Sequence, residues 1–285
     1  MIMVLALTGC SASYNSERLF WKAQQLNAPI LKDPAHATPE QFAAAIHAFD
    51  QVIQKTPGTL WAARAQLATG TLHAMQKQYR QARDAYALVL QNYNRHQDLC
   101  LGARFSTAKT YEAEQNWDEA VRMYRELSDY HPWSVIGLEA PLYIARIYEV
   151  RKEPDEATKA YERAAGLYTK LMPDAPTPEL ATHAKGYLAL AYQRLHEWDK
   201  AITILEELAS APQGTNRPLI LITLGMIYQA KLDNSQKAEE AYTALLKEFP
   251  EHPLVKVAKV QLEHLGLSVS PAPVNPATPT TPATP

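Results

Sequence analysis

An all-α chain of paired helices is what this sequence predicts, on three observations. Ala, Leu, Gln, Glu, Lys and Arg, all good helix formers, dominate the middle of the chain, and no alternating β-branched run of strand length stands out. The 10 glycines are scarce, and most of the 20 prolines stand between apolar-periodic segments, where they punctuate helices. A pattern of small and aromatic residues also recurs along the body. An alanine followed four residues later by a ring or a leucine appears as Ala45/Phe49, Ala82/Tyr86, Ala120/Tyr124, Ala157/Tyr161, Ala201/Leu205 and Ala238/Tyr242, most of these alanines 37 or 38 residues apart.

The N-terminal element comes first. Met1 to Leu7 is apolar, and Leu7-Thr8-Gly9-Cys10 follows directly. This resembles the lipobox of bacterial lipoproteins. Small side chains at Thr8 and Gly9 let a membrane-embedded peptidase approach the backbone, and Cys10 supplies the thiol that accepts diacylglycerol. The resemblance implies a signal peptide over 1–9 and a lipidated Cys10. The covalent diacylglycerol and a further acyl chain would give about three chains, enough for stable anchoring. Ser11 rather than Asp after the cysteine implies the outer membrane, periplasmic face. No Lys or Arg precedes the apolar run, so a disordered apolar N-terminus on a cytoplasmic protein stays open as the alternative. Residues 10–16 read as a short polar linker, extended over at most about 20 Å, before a helical pattern begins at Glu17.

The repeated body spans 17–266. Twelve residues before most of the repeat alanines sits another small residue, Gly70, Ala108, Ala145 or Ala189, and three residues beyond each comes His73, Tyr111, Tyr148 or Tyr192. The last unit has Gly225 and Tyr228, with one extra residue in its turn. Proline follows the ring by eight residues at Pro57, Pro132 and Pro250. Two antiparallel helices approach closely only where small side chains face each other. The tyrosines fill the wedge between one hairpin and the next, and proline ends the second helix because it lacks the N–H that would continue it.

These residues together carry the signature of the tetratricopeptide repeat. The resemblance implies a right-handed superhelical solenoid of five to six antiparallel helix pairs. Their approximate bounds are 17–57, 62–94, 99–132, 138–172, 178–212 and 218–250, with a C-terminal helix over 253–265. The tryptophan of the family's first helix is missing from its usual place, and Trp117 and Trp198 take the turn-side position of two second helices. Two proline-bearing insertions interrupt the pattern. One, Ala28-Pro29-Ile30-Leu31-Lys32-Asp33-Pro34, breaks the first pair. Thr38-Pro39-Glu40-Gln41 then restarts it as an N-cap, a proline at the first helical position and a capping-box Gln. The other runs from Leu171 to Thr177. Residues 267–285 carry no charge and six prolines from Pro271 onward, which predicts a disordered, polyproline-like tail.

Chemistry is constrained mainly by what is missing. With 28 basic against 30 acidic side chains, the surface lacks the positive excess that nucleic acid requires. No phosphate-cradling glycine loop, His-Glu-x-x-His helix or Gly-x-Ser-x-Gly elbow occurs. The nine histidines are dispersed, and Glu206-Glu207 and Glu239-Glu240 read as solvated charges. Cys100 reads as a small buried apolar residue. No catalytic residue, metal ligand, cofactor or small-molecule substrate is therefore expected.

Partners are expected to be other envelope proteins or peptide segments, with the membrane reached through the lipid anchor. In the repeat family the first helices line a concave groove. Counting from the small residues, its lining is Phe105, Lys109, Glu112, Arg146, Glu149, Gln193, Arg194, Met226 and Gln229. This mixed surface suits a peptide or an amphipathic helix. Lys109–Glu112 and Arg146–Glu149 also stand three apart, so each could simply pair along its own helix. Tyr130-His131-Pro132-Trp133-Ser134 and Phe249-Pro250-Glu251-His252-Pro253 resemble the aromatic–proline junctions of envelope tetratricopeptide proteins, such as those of outer-membrane β-barrel assembly and of the Tol–Pal system. The resemblance implies a membrane-anchored scaffold that helps to assemble an envelope complex. The alternative is an accessory subunit that recruits or regulates a peptidoglycan-modifying enzyme.

Overall fold

The computed structural model describes residues 5–211 and 216–267, with side chains from Tyr14 onward. Among these residues there are thirteen α-helices, one 3-10 turn and no strand. The helices are α1 (Leu5–Lys32), α2 (Pro39–Lys55), α3 (Leu60–Met75), α4 (Tyr79–Asn92), α5 (Gln97–Ala113), α6 (Trp117–Tyr130), α7 (Val135–Val150) and α8 (Pro154–Leu171). After the 3-10 turn Met172–Asp174 come α9 (Pro178–Arg194), α10 (Trp198–Ser210), α11 (Arg217–Lys231), α12 (Ser235–Glu248) and α13 (Leu254–His264). The chain divides into two compact units, Met1–Tyr187 and Leu188–Pro285, with the boundary inside α9.

In the first unit α1/α2, α3/α4, α5/α6 and α7/α8 are paired, and α2, α4 and α6 also pack on the first helix of the next pair. The first helices α1, α3, α5 and α7 touch in series, whereas among the described residues α2, α4, α6 and α8 make no such mutual contact. A layer whose helices stand closer together is the inner side of a curve, so this unit presents its first helices on a concave wall. Small residues permit the close crossings: Ala45, Ala82, Ala108, Ala120 and Ala145 are fully buried. The rings beside them, Phe49, Tyr86, Tyr124 and Tyr161, are buried too. Tyr111 and Tyr148 are half-buried, as wedge-filling side chains should be, and each carries a guanidinium on its face: Arg83 at 4.5 Å from the Tyr111 centroid and Arg151 at 5.7 Å from that of Tyr148.

The second unit repeats the scheme. Its core joins Ala189, Leu205, Leu208, Leu224, Tyr228, Tyr242 and Leu245. The final helix α13 turns Val255, Ala258 and Leu262 inward and packs on α11 and α12, closing the end of the core. Lys237 lies over the ring of Tyr228 at 4.9 Å, and Lys200 over that of Tyr192 at 5.1 Å. Glu206, expected as a merely solvated charge, accepts the Tyr228 hydroxyl.

Two expectations at the first pair are corrected. Residues 11–16 do not form an extended linker, because α1 already runs through them and Ser16 is fully buried. Nor does the proline-bearing insertion break the helix at Ala28. Pro29 forfeits one backbone bond, but α1 continues to Lys32 because Ile30, 1 % exposed, is anchored in the core with Phe20, Phe42, Phe49 and Val52. The restart at Thr38 is a complete capping box. The Gln41 N–H donates to Thr38 Oγ1 at 3.3 Å, and the Thr38 N–H donates to Gln41 Oε1 at 2.8 Å. The Cys10 side chain and the proline tail from Ser268 onward lie outside the described residues.

The turn inside each pair after the first follows one rule. The residue seven after the small one, Lys77, Gln115, Lys152 or His196, has φ near +60°, and Asp233 takes the same role one residue later in the last pair. A side chain in this left-handed region is strained by about 1–2 kcal/mol, and glycine is the residue that usually ends a helix there. Replacing Lys77, Gln115 and Lys152 together by glycine is therefore expected to raise stability by roughly 0.5–1 kcal/mol per site, net of glycine's greater chain entropy. A lower melting temperature for the triple variant would contradict it.

Candidate functional site

Helical spacing puts Phe105, Lys109 and Glu112 on one face of α5, at positions i, i+4 and i+7. Tyr143 and Arg146, three apart on α7, stand opposite, and Tyr124 reaches in from α6. The rings form a tight group: Tyr124 and Tyr143 stack at 5.1 Å and 11°, while Phe105 meets Tyr143 edge-on at 5.2 Å and Tyr124 at 5.9 Å. Glu112 is the hub. It accepts from Lys109 Nζ at 3.0 Å, from Arg146 at 3.1 Å and from the Tyr124 hydroxyl at 2.8 Å. Both cations also lie over the face of Tyr143, Arg146 at 4.5 Å and Lys109 at 5.1 Å from its centroid.

The electrostatics follow from this geometry. Burial alone would raise the Glu112 pKa, but the hydrogen bonds from Lys109 and Tyr124 and the charges of Lys109 and Arg146 outweigh it and hold the carboxylate below its ordinary range. Tyr124 is driven far up, first by burial and then by the Glu112 charge and hydrogen bond, so it remains a donor. The Glu112 side chain is 17 % exposed, whereas those of Lys109 and Arg146 are 40 % and 44 % exposed. The carboxylate is thus held inside, and the two cations reach outward over the half-buried Tyr143 ring. One helical turn before Tyr143, Glu139 hydrogen-bonds Tyr187 of α9, whose pKa rises through burial and then through Glu139. Tyr168 of α8 donates to the Leu138 carbonyl at 2.7 Å and lies 6.0 Å from Tyr187.

Four of the predicted lining residues therefore meet: Phe105, Lys109, Glu112 and Arg146. The Lys109–Glu112 pair forms as helical spacing suggested. Arg146 reaches across to Glu112 on α5, a carboxylate that also accepts from Lys109 and Tyr124, so its contact is not confined to its own helix. Glu149 is half-buried and also engaged. Gln193, Arg194, Met226 and Gln229 belong to the second unit. There Gln229 is a structural partner, accepting from the Tyr242 hydroxyl at 2.8 Å, while Met226 and Arg194 are exposed. The residues that periodicity missed are Tyr143 and Tyr124. Tyr143 was legible as the residue one turn before Arg146; Tyr124 was seen only as a core ring.

A second feature lies on the first pair. A pocket of about 390 Å³ opens between α1 and α3, walled by Phe20, Trp21 and Trp61, with Gln24, Arg64 and Thr71 beside them. Trp21 is 55 % exposed. Arg64 lies 4.8 Å over the Trp61 ring.

Neither feature pairs a nucleophile with a base. Among the described residues no three His, Cys, Asp or Glu side chains are grouped to hold a metal ion. Cys100 is buried, its Sγ donates to the Tyr93 carbonyl at 3.6 Å, and burial raises its pKa, so it is an inert packing residue. What the α5–α7 face can do is bind, with aromatic surface for apolar groups and two tethered cations for acceptors.

Tetratricopeptide repeat profiles match residues 35–96, 105–176 and 221–252, more than half of the chain. Among solved structures, that of PilW, a widely conserved type IV pilus biogenesis factor, is 15 % identical with a TM-score of 0.47, covering 85 % of this chain and 97 % of its own. PilF of Pseudomonas aeruginosa is 14 % identical, with a TM-score of 0.43 and coverages of 87 % and 99 %. YrrB, a repeat protein with an unusual peptide-binding site, is 17 % identical, with a TM-score of 0.40 and coverages of 75 % and 99 %. At these identities the likeness concerns the fold alone. No curated protein matches the chain.

Proposed function

The chain belongs to the tetratricopeptide repeat family, and from that premise we propose that it is a non-enzymatic scaffold whose α5–α7 face holds a segment of a partner protein. The observation that carries this reading is the outward presentation of Lys109 and Arg146 over the half-buried Tyr143 ring on the concave wall of the first unit, pre-organised by the inward Glu112. A site whose side chains are already held in place loses little entropy on binding. The segment it suits brings an apolar side chain against Phe105 and Tyr143 and offers acceptors to the two cations.

The scaffold is placed in a bacterial envelope, anchored at the periplasmic face of the outer membrane through lipidated Cys10, where it helps to assemble an envelope complex. The support is the stretch Leu7-Thr8-Gly9-Cys10. Since α1 is helical through this region, Cys10 and the buried Ser16 are separated by only roughly 9 Å of helix rise, so the folded body would sit against the bilayer.

Affinity capture from envelope extracts, with the full chain and its Arg146→Glu variant as bait, tests the groove. Reversing the charge beside Glu112 is expected to reduce the specifically captured proteins about tenfold or more, as loss of a central interface residue does. An unchanged captured set would rule the α5–α7 face out. The anchor is tested by fractionation: Cys10→Ser should leave the protein soluble or unprocessed, and undiminished membrane association would refute lipidation at this residue.

A further inference from the structure

The pocket between α1 and α3 is unlike the Glu112 site and shares no residue with it. Its walls are aromatic. Phe20 and Trp61 lie 5.1 Å apart, and Trp21 stands 6.3 Å from Trp61 at 53°, so the two indoles splay and leave a wedge between them. Phe20 packs on Phe49 and Trp61 lies against the same core cluster, which fixes one wall, while Trp21 is left largely open to solvent. None of the lining residues is a carboxylate, and the one cation, Arg64, is drawn over Trp61. Such a wedge suits an uncharged ligand with compact apolar rings, and Gln24 and Arg64 at its rim can donate to that ligand's carbonyls.

A segment with this chemistry exists in the chain itself. Pro273, Pro276, Pro279, Pro282 and Pro285 recur at every third residue, and no residue among them is charged. A polyproline II helix has three residues per turn and rises about 9 Å over them, so in that conformation such a spacing would set five pyrrolidine rings along one edge. The carbonyls of that helix have no internal partners and seek donors outside. Aromatic-lined grooves bind such segments because rings pack on rings and little chain entropy is lost. A proline-rich stretch in that conformation is stiff over several residues, which favours contact with another molecule over a return to its own body.

We propose that the α1–α3 pocket receives the period-three proline segment 273–285 of a second copy of this chain. The complementarity is threefold: splayed indoles against a ridge of pyrrolidine rings, rim donors against unpaired carbonyls, and a pocket without carboxylates against a segment without charge. Any of the five prolines can occupy the wedge, so the contact tolerates slippage in steps of one turn.

Sedimentation of the full-length chain over rising concentration tests this, with two variants that leave the packed core alone. Trp21→Ala removes the exposed wall, and Pro276→Ala with Pro279→Ala and Pro282→Ala removes the ridge. The wild type is expected to self-associate reversibly, and each variant to weaken that association about tenfold or more with an unchanged far-UV spectrum. A synthetic peptide of residues 271–285 should dissociate the wild-type assembly and shift its tryptophan fluorescence, whereas a peptide of the same composition with its prolines off the three-residue period should not. A wild type that stays monomeric at every concentration overturns the proposal; if the peptide binds such a monomer only after the proline substitutions, the segment folds back onto its own chain. Association that survives both variants overturns it equally, and none of these outcomes bears on the Glu112 face.

Discussion

Gly225→Ala is expected to destabilise the second unit by about 2–3 kcal/mol, in the upper part of what overpacking a core costs. An added Cβ would stand 2.2 to 2.7 Å from three carbons of the Tyr242 ring. That ring cannot step aside: it is fully buried, and its hydroxyl is fixed by a 2.8 Å hydrogen bond to Gln229 on the same helix as the glycine. Gly70 repeats the arrangement in the first unit, with a Cβ position 2.4 Å from the Tyr86 ring. Alanine occupies the equivalent position opposite a ring at Ala108/Tyr124 and Ala145/Tyr161 and opposite Leu205 at Ala189, so the cost at Gly225 comes from how closely the Tyr242 ring lies over it, and a smaller side chain at 242 relieves it. Tyr242→Leu in the Gly225→Ala background should therefore recover part of the loss, and the two changes should be strongly non-additive in a double-mutant cycle by urea unfolding. Additive effects would mean that glycine and ring do not meet.

That contact also explains why the fold was so legible. The small residue and the ring belong to one pair, at nearly constant separation, so each repeat writes its own crossing into a short stretch of sequence. The concave wall was legible only in part. Lys109 and Glu112 are neighbours on one helix and were paired correctly, whereas Arg146 finds Glu112 from 34 residues away. That contact depends on how one pair stacks on the next, which periodicity within a helix does not encode. The α1–α3 pocket was missed for the same reason, since it needs Trp21 and Trp61 to meet across two elements. At Pro29 local propensity pointed to a break, and tertiary burial of Ile30 overrode it. The left-handed residues were hidden in another way: Lys77, Gln115 and Lys152 carry none of the residue types that normally mark such a turn, and only their constant offset from Gly70, Ala108 and Ala145 betrays them.

Glu112→Ala is expected to cost about 3 kcal/mol at neutral pH, because it leaves Lys109, Arg146 and the Tyr124 hydroxyl without the acceptor they share in a largely enclosed position. The pH dependence gives this prediction its specificity. The folded-state pKa of Glu112 lies below its unfolded value of 4.5, so its contribution is complete above that value and is lost as pH falls through the folded pKa. The stability gap between wild type and variant should accordingly be constant from neutral pH down to about pH 5 and shrink below 4.5. Glu112→Gln keeps an acceptor for Tyr124 but removes the charge, so it should be less damaging than alanine and equally free of this acid sensitivity. A gap that persists unchanged at pH 3 would show that Glu112 acts through shape alone. Because Lys109 and Arg146 are held over Tyr143 partly by this carboxylate, the same variants should also weaken capture by the α5–α7 face, even though Glu112 itself points inward.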